Sequence, residues 1–129
     1  MFSIGTAAIA CSYCLNGCTV NDPGITAPSN IDFTLDLSNA AYSGLKQIGG
    51  YVYINGVIVA HTASGYVALS QACTHQGTTI VYYLAGNSMY CPAHGSRFGL
   101  DGSVMKGPAQ DPLVRYNTSL NGNSLRVYP

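Results

Sequence analysis

The chain has 129 residues, five basic and five acidic side chains and no formal net charge, and only 8% of its residues are charged. This length suits one domain with one core. The scarcity of charge removes the electrostatic attraction that nucleic-acid binding requires, so the composition argues against a nucleic-acid partner. Fifteen glycines and ten tyrosines favour strands joined by tight turns.

The chain begins with an apolar segment, residues 1–18, in which no charged residue occurs between Phe2 and Gly17. This segment is shorter than the roughly 20 residues of a membrane-spanning helix and matches the apolar region of a signal peptide. Residues 15–18 resemble a bacterial lipoprotein cleavage box, which makes Cys18 a candidate for lipidation, and Cys11 is a second candidate. The basic residue that usually precedes such a region is missing. We predict export and tethering to a membrane.

Three alternatives remain for this segment. The first is that the segment is retained as a hydrophobic anchor. The second is that Cys11, Cys14 and Cys18 bind a second metal, although a fourth ligand is missing. In an oxidising compartment, two of these cysteines form a local disulfide. Residues 19–30, which contain prolines and a glycine, are predicted to be a linker.

Strand patterns begin at residues 31–37, where apolar and polar side chains alternate as in a strand with one buried face. Two β-branched and aromatic runs, 51–54 and 57–60, flank Asn55-Gly56, a pair that favours a type I′ hairpin turn. After a turn at Ser64-Gly65, residues 66–69 complete a three-stranded meander. His61 lies on this meander with no ligand partner at a suitable spacing, so we interpret it as exposed or locally hydrogen-bonded.

Shorter strand-like runs follow along the rest of the chain. They are residues 79–84, 88–90 and 97–100, and then a hairpin of 113–118 against 124–128 around Asn121-Gly122. The body has no convincing helical period, and residues 37–47 are the least certain stretch. Turn signals every eight to twelve residues predict an all-β domain over 31–129, built as a small antiparallel sandwich or barrel.

Two short motifs carry the chemistry: Cys73-Thr74-His75 and, after fifteen intervening residues, Cys91-Pro92-Ala93-His94. Each motif offers one thiolate and one imidazole and is followed closely by a glycine, Gly77 or Gly95. Structural zinc sites usually group two cysteines and then two histidines, whereas cysteine and histidine alternate here. Two cysteines from separate loops suit one iron of a [2Fe-2S] cluster, and two histidines suit the other.

The motif Cys-x-His…Cys-x-x-His resembles the cluster-binding region of the Rieske family, with the greatest specificity between residues 73 and 112. Gly95-Ser96 and Gly107-Pro108-Ala109 strengthen the resemblance, since the latter is similar to the family's proline-containing loop beside the cluster. The resemblance implies a Rieske-type [2Fe-2S] cofactor bound by Cys73, His75, Cys91 and His94. It also implies a Rieske-type fold over 31–129, with an inserted cluster-binding part at 71–112.

Within the family, the sequence resembles the respiratory, cytochrome bc type more than the ferredoxins of dioxygenases. It departs from the respiratory type at several positions. Thr78 and Ala93 occupy the positions of the two cysteines that form a disulfide between the cluster loops. Ser96 stands where a family hydroxyl donates to a bridging sulfide, and Phe98 replaces a tyrosine that donates to a cysteine sulfur. One donor kept and one lost imply a potential within the span of about −150 to +300 mV but below its top. The resemblance also places Gly77, Gly95, Phe98 and Pro108 beside the cluster.

The sequence contains no motif of a self-contained active site, so we expect an electron-transfer protein or subunit rather than an enzyme. The resemblance implies a redox protein partner, a cytochrome or an oxidoreductase, and a potential that falls as pH rises through the ionisation of the histidine ligands. The predicted location is the periplasm or outer surface of a bacterium, anchored in the membrane. The alternatives are a soluble cytoplasmic ferredoxin, a small subunit of an oxygenase or oxidoreductase, and a zinc-binding module.

Overall fold

The computed structural model describes residues 27–129, which form ten strands and one 3₁₀ helix, Ala40–Lys46. The predicted all-β class is confirmed. The strands are β1 (Phe33–Asp36), β2 (Tyr51–Ile54), β3 (Val57–Thr62), β4 (Gly65–Ser70), β5 (Val81–Tyr83), β6 (Ser88–Tyr90), β7 (Arg97–Phe98), β8 (Val104–Lys106), β9 (Arg115–Asn121) and β10 (Ser124–Tyr128). The apolar segment 1–18, with Cys11, Cys14 and Cys18, lies outside the described residues, as does most of the linker.

The strands form two antiparallel sheets. The larger sheet has the order β1-β10-β9-β4-β3-β2, and the smaller one has the order β5-β6-β7-β8. All four strands of the smaller sheet lie between β4 and β9 in sequence, so the smaller sheet is an insertion into the larger one. This arrangement confirms the predicted antiparallel fold with an inserted part that carries the two cysteine-histidine motifs.

Strand β3, which lies between β4 and the edge strand β2, explains how the two parts of the fold hold together. Successive side chains of a strand point to opposite faces, and here both faces are covered. Val57 and Val59 belong to an apolar cluster with the 3₁₀ helix residue Leu45. Ile58 and Ala60 belong to a second cluster, shared with the smaller sheet and containing both Cys73 and Cys91. This second cluster, which we call the second core, therefore positions the inserted sheet and its two motifs on one face of β3 and β4.

The predicted turns and strand ends agree with the structure in part. Asn55 and Gly56 both have positive φ, as a type I′ turn requires. The final hairpin instead turns through Gly122 and Asn123, because Asn121 pairs with Ser124. Within residues 27–129, no helix is long and apolar enough to cross a membrane.

Some of the predicted strands were wrong in extent. The run 79–84 is shorter because Thr79 bridges to Ala72 and the Ile80 N–H donates to the Gln71 carbonyl, so the run's start pairs with the chain before Cys73. The run 97–100 ends at Phe98, and β9 begins and ends later than 113–118. Strand β8 and the 3₁₀ helix were not predicted.

Gly50 occupies a position where a side chain does not fit. A Cβ atom there would overlap the Gly44 carbonyl oxygen, and both backbones are held by hydrogen bonds to Gln47. We expect Gly50→Ala to lower the free energy of unfolding by at least about 2 kcal/mol, as overpacking does. Urea unfolding monitored by circular dichroism measures this, and Gly44→Ala is the matched control because nothing lies within 4 Å of its Cβ position. Equal stability of the two variants would contradict the prediction.

Candidate metal centre

The two motifs lie on two loops that share one hydrogen-bonding scheme. In the loop after β4, the Cys73 N–H donates to the Thr78 carbonyl at 2.8 Å, and the Gly77 N–H donates to the Cys73 carbonyl at 2.7 Å. In the loop after β6, the Cys91 N–H donates to the Ser96 carbonyl at 2.8 Å, and the Gly95 N–H donates to the Cys91 carbonyl at 3.0 Å. The two loops thus present their cysteines in equivalent positions.

Gly77 and Gly95 are the residues that allow this shared geometry. Their φ angles are +77° and +81°, in the left-handed region that glycine adopts without steric cost. Each glycine turns the chain back, so that its own N–H reaches the carbonyl of the cysteine four residues earlier. This geometry gives a reason for the glycine that follows each motif in the sequence.

The two thiols lie inside the protein, next to each other. Cys73 and Cys91 are 0% and 1% exposed, and both are free thiols. Burial raises the pKa of the Cys73 thiol, and the neighbouring Cys91 thiol acts in the same direction. The His75 N–H, which donates to Cys73 Sγ at 3.5 Å, opposes this rise. Deprotonating such a pair therefore requires a partner that carries positive charge, as a metal does.

The two imidazoles form a second pair, nearer the surface. His75 is half-buried and His94 is exposed, and their ring centroids lie 5.1 Å apart with the planes at 78°. Among residues 27–129, no three His, Cys, Asp or Glu side chains converge on one point as ligands of a single ion. The four side chains are therefore arranged as two pairs, one of thiols and one of imidazoles.

This donor set fits a two-iron centre. A Rieske cluster takes two cysteine thiolates at one iron and two histidines at the other, and bridging sulfides complete the coordination of each iron. The described chain offers two sulfur donors inside and two nitrogen donors outside, which is the same division. The assignment of these four residues as ligands stays a prediction of the sequence that the geometry accommodates.

Ser96 links the second loop to the proline-containing loop. Its side chain is buried, and its Oγ accepts a hydrogen bond from the Ala109 N–H at 3.0 Å. Because the oxygen acts as an acceptor in this bond, the proton of the hydroxyl stays available for donation. This is the arrangement that the predicted hydrogen bond from Ser96 to the cluster requires.

Two other predicted neighbours of the centre, Phe98 and Pro108, differ in burial. Phe98 is fully buried on β7 and belongs to the apolar cluster that contains Cys73 and Cys91. Pro108 is exposed and follows a cis peptide bond with Gly107, one residue before the buried Ala109.

His61 is locally bonded, as expected: its Nδ1 is 2.8 Å from the Leu45 carbonyl oxygen, and its ring stacks on Tyr66.

Sequence analysis missed one contact of the first loop. The Thr74 hydroxyl donates to the Asp111 carbonyl oxygen at 2.6 Å. The two residues are 37 positions apart, and only the position of Thr74 between two candidate ligands pointed to a role for it. The first loop is thereby attached to the same downstream chain that Ser96 binds.

Comparison with known proteins identifies what the chain is similar to. The family model described as the Rieske [2Fe-2S] domain matches residues 34–129. The cytochrome b6-f complex iron-sulfur subunit of Chlorobaculum thiosulfatiphilum is 35% identical over 71 residues, which are 55% of this chain and 39% of that protein. The corresponding subunit of Synechococcus sp. strain JA-2-3B'a(2-13) is 31% identical over 86 residues, 67% and 47% of the two chains. The chain thus spans less than half the length of these curated relatives.

Solved structures show the same similarity. The cyanobacterial plasma membrane Rieske protein PetC3 from Synechocystis PCC 6803 aligns with a TM-score of 0.57 at 30% identity, covering 67% of this chain and 93% of that one. The ferredoxin of carbazole 1,9a-dioxygenase from Nocardioides aromaticivorans IC177 aligns with a TM-score of 0.55 at 23% identity, covering 64% and 85%. The second similarity is one of fold alone.

Proposed function

We propose that this chain, which belongs to the Rieske [2Fe-2S] family, is a one-electron carrier that exchanges electrons with a redox protein partner. Its cofactor is a Rieske-type [2Fe-2S] cluster, as the family match over residues 34–129 establishes. In our proposal Cys73, His75, Cys91 and His94 hold the cluster. The proposal thus covers the ligands of the cluster, the kind of partner and the location of the protein.

The observation that carries the proposal is the division of the four side chains between inside and outside. The thiols of Cys73 and Cys91 are buried, whereas His75 is half-buried and His94 is exposed. When bound, the cluster supplies one-electron redox chemistry at a potential that neutral imidazoles raise. The two imidazoles form the part of the site nearest to a partner, so electrons enter and leave on this side.

The partner and location follow from the relatives and the N-terminal segment. Two curated relatives are subunits of cytochrome b6-f complexes, and one structural relative is described as a plasma membrane protein. These support a cytochrome or oxidoreductase partner and an extracytoplasmic, membrane-tethered placement. Residues 1–18, with Cys18 or Cys11 as the lipidation site, provide the tether. Lipid labelling and membrane fractionation of Cys18→Ala, Cys11→Ala and the unchanged chain test this part, and a chain found wholly in the cytoplasmic fraction would overturn it.

The test of the cluster itself is electron paramagnetic resonance of the dithionite-reduced full chain, with a redox titration. We expect a reduced [2Fe-2S] signal with an average g value below that of an all-cysteine cluster, because two nitrogen ligands replace two thiolates. A signal of the all-cysteine type would contradict the proposed ligands. A colourless protein that contains zinc would contradict electron transfer altogether.

Loss of iron is expected to loosen the two ligand loops before the rest of the domain. Neither loop contains a second cysteine, and each is closed by the two backbone hydrogen bonds described above, so metal binding contributes much of the local order. Hydrogen exchange of loaded and iron-free protein measures this. We expect faster exchange in residues 73–78 and 91–96 and unchanged exchange in β3, which is buried on both faces. Equal acceleration in β3 would show global unfolding instead.

Phe98→Tyr is expected to raise the reduction potential. The ring is fully buried in one apolar cluster with Cys73 and Cys91, so a hydroxyl added to it has a cysteine sulfur as its candidate acceptor. A donor to that sulfur stabilises the more negative, reduced state. Redox titration measures the shift, which we expect to be below about 100 mV, since a hydrogen bond to a charged group contributes about 1.5–3 kcal/mol. An unchanged potential together with lost stability would mean that the hydroxyl finds no acceptor.

A further inference from the structure

Residues 109–114 form a segment that connects the inserted sheet to β9, and hydroxyl groups hold it at three points. The Ala109 N–H donates to Ser96 Oγ at 3.0 Å, the Asp111 carbonyl accepts from the Thr74 hydroxyl at 2.6 Å, and the Val114 N–H donates to Ser70 Oγ at 3.0 Å. We call residues 109–114 the connecting segment. It is thus fastened to both ligand loops and to the end of β4.

The connecting segment also packs against the site. Ala109 and Leu113 are each 3% exposed and belong to the apolar cluster that contains Cys73 and Cys91. A displacement of this segment would therefore open the apolar surroundings of the two sulfurs to water. Such a displacement requires breaking these hydroxyl bonds together with two backbone bonds, from the Leu113 N–H to the Gly102 carbonyl and from the Ser70 N–H to the Val114 carbonyl.

The three attachments differ in exposure. The bond between Ser96 and Ala109 is buried, so breaking it leaves polar groups unpaired in the interior. The bond between Thr74 and Asp111 lies at the surface, where water competes for both groups. Thr74 is also the only residue between Cys73 and His75, so its hydroxyl fixes the part of the first loop that carries both candidate ligands.

We propose that Thr74 is a positioning residue. Its hydroxyl fastens the first ligand loop to the connecting segment, and its bond to the Asp111 carbonyl is one of those that must break before the segment opens and the cysteine sulfurs become accessible. The proposal rests on the proposed function insofar as the shielded group is the cluster. The fastening itself is a property of the protein chain alone.

Thr74→Val tests the proposal because valine keeps the shape of threonine and removes the hydroxyl. We expect hydrogen exchange in peptides covering 109–114 to rise about two- to tenfold, which corresponds to the loss of one exposed hydrogen bond. Release of iron to a chelator should accelerate by a similar factor. Thr74→Ser, which restores the hydroxyl, should return both rates close to those of the unchanged chain. Thr79→Val, at an exposed threonine just beyond the same loop, is the matched control and should change neither rate.

Each outcome of this experiment decides the proposal. Faster exchange in Thr74→Val with rescue by Thr74→Ser supports it. Unchanged exchange, or equal acceleration in Thr74→Val and Thr74→Ser, overturns it, because then the hydroxyl does not hold the segment. Exchange is measured on the full chain as isolated, so a chain that contained no iron would refute the proposed function while the comparison of exchange rates still decided the role of Thr74.

Discussion

Replacing His75 or His94 by alanine is expected to abolish the cluster, and the same is expected for Cys73 and Cys91. Two pairs of donors meet at the site, and each iron of a Rieske cluster depends on one pair. Removing one donor leaves an iron with an open position at a partly exposed site, where water and chelators reach it. Iron analysis and visible absorption of the four purified variants measure this loss, which should be nearly complete in each.

His61→Ala provides the matched control for the histidine variants. The chain has three histidines, and His61 is the one that is not a candidate ligand. It lies on β3 with its Nδ1 beside the Leu45 carbonyl and its ring on Tyr66. We expect full iron content in this variant with a modest loss of stability, about 1 kcal/mol for one hydrogen bond. A colourless His61→Ala variant, or a fully loaded His94→Ala variant, would contradict the proposed set of ligands.

Ser96→Ala is expected to lower both the reduction potential and the stability of the protein. The hydroxyl proton is available to the cluster, and its loss removes a donor that favours the reduced state, by up to the order of 100 mV. The same change leaves the buried Ala109 N–H without its acceptor, which costs about 1–3 kcal/mol. Redox titration and chemical unfolding measure the two effects on one sample.

Ser88→Ala separates these effects from those of deleting any buried serine. Ser88 lies on β6 with no exposed surface, and its Oγ has no hydrogen-bond partner among the described residues. Removing an unpaired buried hydroxyl should leave the stability unchanged or raise it, and it should leave the potential unchanged. If Ser96→Ala kept the potential of the unchanged chain, the hydrogen bond from Ser96 to the cluster would be refuted.

Much of the larger sheet was predictable because its signals are local. The alternation at 31–37 and the turn at Asn55-Gly56 each depend on neighbouring residues, whose side-chain period and φ angles follow from their own chemistry. Strand β8 gave no such signal. Its three residues pair irregularly with β7, and Val104 packs against the second core, so a partner on another strand holds it extended. The 3₁₀ helix Ala40–Lys46 is likewise held by the packing of the fully buried Leu45.

The candidate site divides in the same way between local and distant information. The spacing of Cys73, His75, Cys91 and His94 predicted four candidate ligands and the kind of cofactor. This was possible because thiol and imidazole donors are identified by residue type alone. Spacing does not reveal that the thiols face inward as one pair and the imidazoles outward as another, since this depends on how the two loops pack on β3 and β4. The bond from Thr74 to Asp111 also belongs to the tertiary structure. It joins residues 37 positions apart, and neither residue carries a local pattern that identifies the other, so only the folded chain brings them together.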